Sequence, residues 1–243
     1  MTGIRGRVVV AGIARTPRQV SNASFVSRFR LNSYETRTMS TMSHLQYLHG
    51  DEIQRSGVAL LLIDVINDLE FPEGQGLFEK GLPAARCICE LRTRAEDAQI
   101  PIIYVNDNFG RWRSDFQAQV QHCLNDDVLG KPIVSMLQPG PDHYFILKPR
   151  HSGFFSTALE ILLEQLGTKT LILAGFAGDK CILFTANDAY LREYQLIIPS
   201  DCIASNSEED NQQALSLMQR VLKADITPSI SLTNERLRGL ACR

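Results

Sequence analysis

The chain has 243 residues, with 25 basic and 27 acidic side chains and a net charge of −2 at pH 7; 44% of residues are hydrophobic and 21% charged. That balance is of an ordinary globular domain and excludes a basic nucleic-acid binder, while the longest apolar runs are strand-sized and exclude a membrane-spanning helix. Six cysteines, at 87, 89, 123, 181, 202 and 242, show neither paired C-x-x-C metal spacing nor the density of a secreted scaffold, so reduced thiols in a reducing compartment are expected.

Residues 1–43 stand apart from the rest. They hold seven arginines (5, 7, 15, 18, 28, 30 and 37), no lysine, and Glu35 as the only acid. This is the composition of an organellar transit peptide, which would direct the protein to the mitochondrial matrix or another organelle. An upstream start ahead of Met39 or Met42, or a plain disordered arm, are the competing readings, and both leave a cytoplasmic protein. On every reading the folded domain is expected in residues 44–243.

Strands and helices then alternate. An apolar run, Val58 to Ile63, ends abruptly in Asp64, with Asn67 and Asp68 just beyond. A helix with Ala84, Ile88, Leu91 and Ala95 on one face leads to a second strand, Ile102–Val105. In the polar loop that follows, Arg111 and Arg113 flank Trp112, the only tryptophan. A weakly patterned helix from about Ser114 to Cys123 and a proline-marked connection precede a third strand, Tyr144–Lys148. Thr157 and Glu160 read as a capping box for a helix with Leu159, Leu162, Leu163 and Leu166 on its stripe, stopped by Gly167. A fourth apolar run from Leu171 ends in the glycine turn Gly175 to Gly178, and Cys181 follows where a new helical pattern begins. A fifth strand spans Gln195–Pro199, and a helix opens on Glu208, Glu209 and Asp210 and closes on Arg220 and Lys223. A last strand is expected near Ile226 to Leu232. This order predicts the α/β class: a Rossmann-like three-layer α/β/α fold around a mainly parallel sheet of about six strands.

In such a sheet, residues just past the carboxyl ends of the strands line the ligand crevice. Asp64, Lys148 and Cys181 all stand there. A thiol at or near a helix N-terminus meets unsatisfied N–H groups and the positive dipole end, which favour the nucleophilic thiolate. Each residue alone has an ordinary structural use, as a cap, a solvated strand end or a small buried hydrophobe. Together they supply an acid or base, a cation and a nucleophile to one crevice.

The segments Leu61-Leu62-Ile63-Asp64, Lys148 after the third strand, and Gly175 through Cys181 resemble those of the isochorismatase-like cysteine hydrolases. This superfamily includes nicotinamidases, N-carbamoylsarcosine amidohydrolases and ureidoacrylate-type amidases. The resemblance covers about residues 56 to 233. It implies a triad in which Cys181 attacks an amide carbonyl to give a thioester, and Asp64 moves the proton and later activates water. Lys148 would orient Asp64 and lower the thiol pKa. It also implies a cis peptide before the nucleophile, by position Phe176–Ala177, with the Ala177 and Cys181 N–H groups as oxyanion donors.

The departures from that pattern shape the expected pocket. Gly178 stands where the family has threonine. Ile66 and Leu69 stand where it commonly has glutamine and an aromatic, which makes that side more apolar. Nicotinamidases add an Asp-x-His metal pair; Asp107 matches its aspartate, but Phe109 takes the histidine's place. Neither a metal nor any other cofactor is therefore expected. Arg111 and Arg113 suit a substrate carboxylate and Trp112 a stacking contact, although the same loop would equally serve an oligomer interface. Asn67, Asp107, Phe109, His151, Phe154 and Phe176 complete the expected substrate-binding set.

The expected function is metal-independent cleavage of a C–N bond in a small amide or ureide by a cysteine hydrolase. Its expected partners are a small-molecule substrate and further copies of itself in a dimer or tetramer, with no nucleic acid and no membrane. Two other classes compete: an isochorismatase-type vinyl ether hydrolase, against which Cys181 argues, and a silent member acting as a binding or assembly module. A dinucleotide binder lacks its G-x-G-x-x-G after the first strand.

Overall fold

The computed structural model describes residues 53–113 and 115–242. The expectations for residues 1–43, and the start of the domain at 44, lie outside the described residues. Among the described residues there are six strands: β1 (Val58–Ile63), β2 (Ile102–Asp107), β3 (Tyr144–Lys148), β4 (Thr170–Phe176), β5 (Gln195–Ile197) and β6 (Ile203–Ala204). The helices are α1 (Gly74–Asp97), α2 (Phe116–Asn125), α3 (Lys131–Met136), α4 (Leu159–Leu166), α5 (Leu183–Leu191), α6 (Glu208–Leu222) and α7 (Asn234–Ala241).

The sheet order is β3-β2-β1-β4-β5, with β6 pairing the end of β4, and every paired strand is parallel. β1 shows why both faces are covered. Its six residues are all buried, and they alternate between two cores: Val58, Leu60 and Leu62 pack with α1, α2, α3 and α7, while Ala59, Leu61 and Ile63 pack with α4, α5 and α6. The chain steps outward from β1 to β2 and β3, then returns to the other side of β1 for β4. The topological switch point therefore lies between β1 and β4, where ligands bind in open α/β sheets.

Three sequence expectations are corrected. The last strand near 226–232 does not form: only Ile197 and Asp225 bridge, and Ser229–Ser231 makes a 3₁₀ turn. Pro228 lacks a ladder donor, and Asp201 takes both the Ser229 N–H (2.7 Å) and its hydroxyl (2.8 Å). The sixth strand is instead the two-residue β6. The capping box at Thr157 also fails: Ala158 is the N-cap of α4, Thr157 Oγ1 donates to the Gly153 carbonyl, and Glu160 pairs with Arg192 at 3.0 Å. Finally, α2 starts at Phe116, because Asp115 caps it by accepting the Ala118 N–H at 2.6 Å. Among the described residues no helix is long and apolar enough to cross a membrane.

Candidate active site

The carboxyl ends of β1, β2, β3 and β4 bring the site together. Strand register sets much of its geometry: β2 and β3 pair so that Asp107 stands directly opposite Lys148. Lys148 is wholly buried, and its Nζ lies 2.9 Å from Asp64 Oδ2, 3.4 Å from Asp107 Oδ2 and 3.4 Å from Cys181 Sγ. Asp64, 6% exposed, has its other oxygen on the Asp107 N–H at 2.7 Å. Its backbone is in the left-handed region (φ +54°), which non-glycine residues seldom adopt, and its N–H donates to Val105 at 3.0 Å. Two anions thus share one buried cation.

Gly175 allows β4, the strand that leads to Cys181, to pass close to β1. At φ +125°, a Cβ on it would stand 2.0 Å from the Ile63 carbonyl oxygen, next to Asp64. The Phe176–Ala177 peptide is cis. Gly178–Ile182 then forms a single π-helical turn, with the Lys180 and Ile182 N–H groups both donating to the Ala177 carbonyl at 3.1 Å, before α5 begins. The absence of threonine at 178 has a packing reason. A Cβ on Gly178 would lie 2.6 Å from Asn211 Oδ1 and 3.0 Å from Ser205 Oγ. Ser205 Oγ accepts the Asp179 N–H at 3.1 Å and donates to Asn211 at 3.1 Å, so these two polar groups fill that space.

Charge at the site departs from the expectation of a ready thiolate. Burial first, then the Asp64 charge, pushes the Cys181 thiol well above its ordinary value, and Lys148 only partly offsets them. Cys181 itself lies in the π-turn that leads directly into α5. Burial also raises Asp64, against the pull of Lys148, which makes its carboxylate a stronger base than a free one. Burial pulls Lys148 down, but Asp64, Cys181 and Asp107 together hold it protonated.

The other expected site residues divide. Asp107 is less a pocket wall than a partner of Lys148, and its Oδ1 accepts the Phe109 N–H at 2.7 Å. Asn67 is buried and accepts the Leu69 N–H at 2.9 Å in a local turn. Phe154 and Phe176 are both buried. Phe154 packs under the Arg192 guanidinium (4.7 Å) and near Tyr194, and Phe176 lies against the position of Gly81 on α1. Arg111, Trp112 and Arg113 are exposed, Trp112 at 78%. Phe109 and Arg111 line a cleft of about 210 Å³ with Asp68, Phe71 and His122. His151 is exposed, with Nδ1 3.9 Å from Cys181 Sγ. A larger groove of about 970 Å³ opens by Thr170 and Gln195, the first residues of β4 and β5, at the end of the sheet opposite these groups.

Sequence reasoning passed over Asn106 and Thr185, both fully buried. Asn106 donates to the Ile66 carbonyl at 2.7 Å and holds the turn after Asp64. Thr185 Oγ1 donates to the Cys181 carbonyl at 2.7 Å. A polar residue on the inner face of a strand or helix was the available signal for each.

The isochorismatase-domain family model matches residues 58–228. The chain belongs to the isochorismatase family of hydrolases. It is 45% identical over 175 residues to the uncharacterized isochorismatase family protein YaaI of Bacillus subtilis, covering 72% of this chain and 96% of that one. It is 39% identical over 69 residues to the ureidoacrylate amidohydrolase RutB of Methylorubrum extorquens, a match spanning 28% of each chain. The N-carbamoylsarcosine amidase structure from Thermoplasma acidophilum superposes with a TM-score of 0.54 at 24% identity, over 71% of this chain and 96% of that one, a likeness of fold.

Proposed function

We propose that this isochorismatase-family protein is a cysteine hydrolase cleaving the C–N bond of a small amide or ureide, with Asp64, Lys148 and Cys181 as its triad. The observation that carries this reading is the single buried ammonium within 2.9 Å of the Asp64 carboxylate and 3.4 Å of the Cys181 sulfur. Asp64 takes the thiol proton as Sγ bonds the carbonyl carbon, and Lys148 stays charged throughout, so the transferred proton and the departing one pass through a single carboxylate. A thiol whose ionisation is opposed by burial and by Asp64 fits this order, since ionisation is then coupled to attack. The negative oxygen of the tetrahedral intermediate is received by the Ala177 and Cys181 N–H groups. When the C–N bond breaks, Asp64 returns its proton to the amine, leaving a thioester for water to hydrolyse. The amidohydrolase name of the ureidoacrylate relative, matched over 28% of each chain, supports the bond class.

Incubating the full chain with a panel of small amides and ureides, and following ammonia release, tests this directly. Turnover is expected with at least one of them, lost in Cys181→Ala and in Asp64→Asn. Undiminished turnover by Cys181→Ala would overturn the covalent mechanism.

A further inference from the structure

Thr185 lies within α5 and is wholly buried. A threonine inside a helix ordinarily turns its hydroxyl back on the carbonyl four residues earlier, and Thr185 Oγ1 does donate to the Cys181 carbonyl at 2.7 Å. Alone, that bond would be a local habit of the residue. The same oxygen also accepts the Gly153 N–H at 3.0 Å. One hydroxyl therefore joins the turn that holds Cys181 to the loop that leaves Lys148 at the end of β3.

The approach of that loop depends on a missing side chain. A Cβ on Gly153 would stand 2.9 Å from Val105 Cγ1, 3.2 Å from Leu159 Cδ2 and 3.5 Å from Thr185 Cγ2, so glycine lets this N–H come in against β2, α4 and α5 at once. The neighbouring Ser152 is buried and ties the loop further along α5, donating to Asp188, which Arg192 holds at 3.4 Å. The Ser152 bond reaches none of the triad. The Thr185 bond ends on Cys181.

The two joined segments carry groups whose separation matters for the chemistry proposed above. Lys148 Nζ is 3.4 Å from Cys181 Sγ, and its charge favours the thiolate against burial and Asp64. The ammonium ends a long side chain and is also drawn by Asp64 at 2.9 Å and Asp107 at 3.4 Å. Its distance from the sulfur is therefore held only as well as the two main chains are held to each other. Without the hydroxyl, the buried Gly153 N–H loses its acceptor and the loop has reason to draw away from α5.

We propose that Thr185 is a positioning residue for the triad: its hydroxyl fixes the Cys181 turn against the Lys148 loop and so sets the contact between ammonium and sulfur. This role rests on the cysteine-hydrolase reading.

The test follows hydrolysis of p-nitrophenyl acetate by the full chain, and iodoacetamide labelling of Cys181 by mass spectrometry. Thr185→Val removes the hydroxyl and keeps the shape, whereas Thr185→Ser keeps the hydroxyl and loses a methyl group. In Thr185→Val, kcat is expected to fall by roughly 10- to 100-fold with KM within about twofold. Labelling of Cys181 at neutral pH should slow several-fold, because Lys148 supports the thiolate from further away. Thr185→Ser is expected to stay within about threefold of wild type in both readouts. Wild-type values for Thr185→Val, a fall in Thr185→Ser as deep as in Thr185→Val, or loss of the fold of Thr185→Val by circular dichroism would each overturn the role. The cysteine-hydrolase reading fails separately, and takes this role with it, if hydrolysis of the ester is undiminished in Cys181→Ala.

Discussion

The floor of the site and its rim are built by different rules. Asp64, Asn106, Asp107 and Lys148 come from the ends of neighbouring parallel strands, and their positions follow from register and backbone hydrogen bonds in a buried setting. Phe109, Arg111, Trp112, Arg113, His151 and Phe184 come from loops and the first turn of α5, and all are exposed. Bond-breaking needs groups held within fractions of an ångström, which a packed sheet provides. Exposed loops, by contrast, can change without unfolding the sheet.

The comparison breaks most violently at Lys148. Lys148→Met strands two carboxylates in a buried place, and is expected to cost about 3–5 kcal/mol in urea unfolding and to remove turnover. In wild type, burial raises Asp64, so its proton-accepting form is lost as pH falls through a value above the usual carboxylate range. The acid limb of kcat/KM should therefore lie above that of a free carboxyl, and any residual activity of Lys148→Met should shift it higher still.

At the rim the balance of effects reverses. Arg111→Ala or Arg113→Ala should weaken an anionic substrate by about 1.5–3 kcal/mol, read in KM, and leave stability within about 0.5 kcal/mol. Unchanged KM with a changed oligomer size by light scattering would move this loop to an interface.

A boundary case is Gly178, between floor and rim. Gly178→Thr is expected to cost about 1–3 kcal/mol by overpacking against Asn211, with Asn211→Ala relieving part of it in the double variant. Thermal unfolding of the single and double variants measures the coupling.

The gentlest probe is alkylation. Asp64→Asn removes the charge that opposes Cys181 ionisation, so iodoacetamide should label Cys181 a few-fold faster although turnover is gone. In wild type, exposed Cys242 should be labelled ahead of it.

Much of the floor was legible in the sequence. Apolar runs ending in Asp64, Lys148 and Gly175 announce buried strands and what stands at their tips, because a strand covered on both faces has no polar alternation to blur its end. The pairing of Asp107 with Lys148 was not legible, since register between strands is a tertiary fact. The burial of Phe154 and Phe176 was not legible for a related reason: an aromatic beside a strand end fills core as readily as pocket. β6 is too short to leave a pattern, and the 226–232 segment has strand-like residues whose hydrogen bonds are claimed by Asp201. α7 is not among the sequence expectations; Thr233 caps it by accepting the Arg236 N–H on Oγ1 at 3.3 Å.

One feature of the sheet sets an order of failure. β3 carries the lysine yet lies at the end of the strand order, joined to the rest through β2, with Phe145 half exposed on it. An outermost strand opens at lower free energy than the central β1 and β4 that lead to Asp64 and Cys181. Heat or denaturant should thus disarm this protein by peeling its margin while the interior is still intact, so that catalytic competence is the most fragile thing the sheet supports.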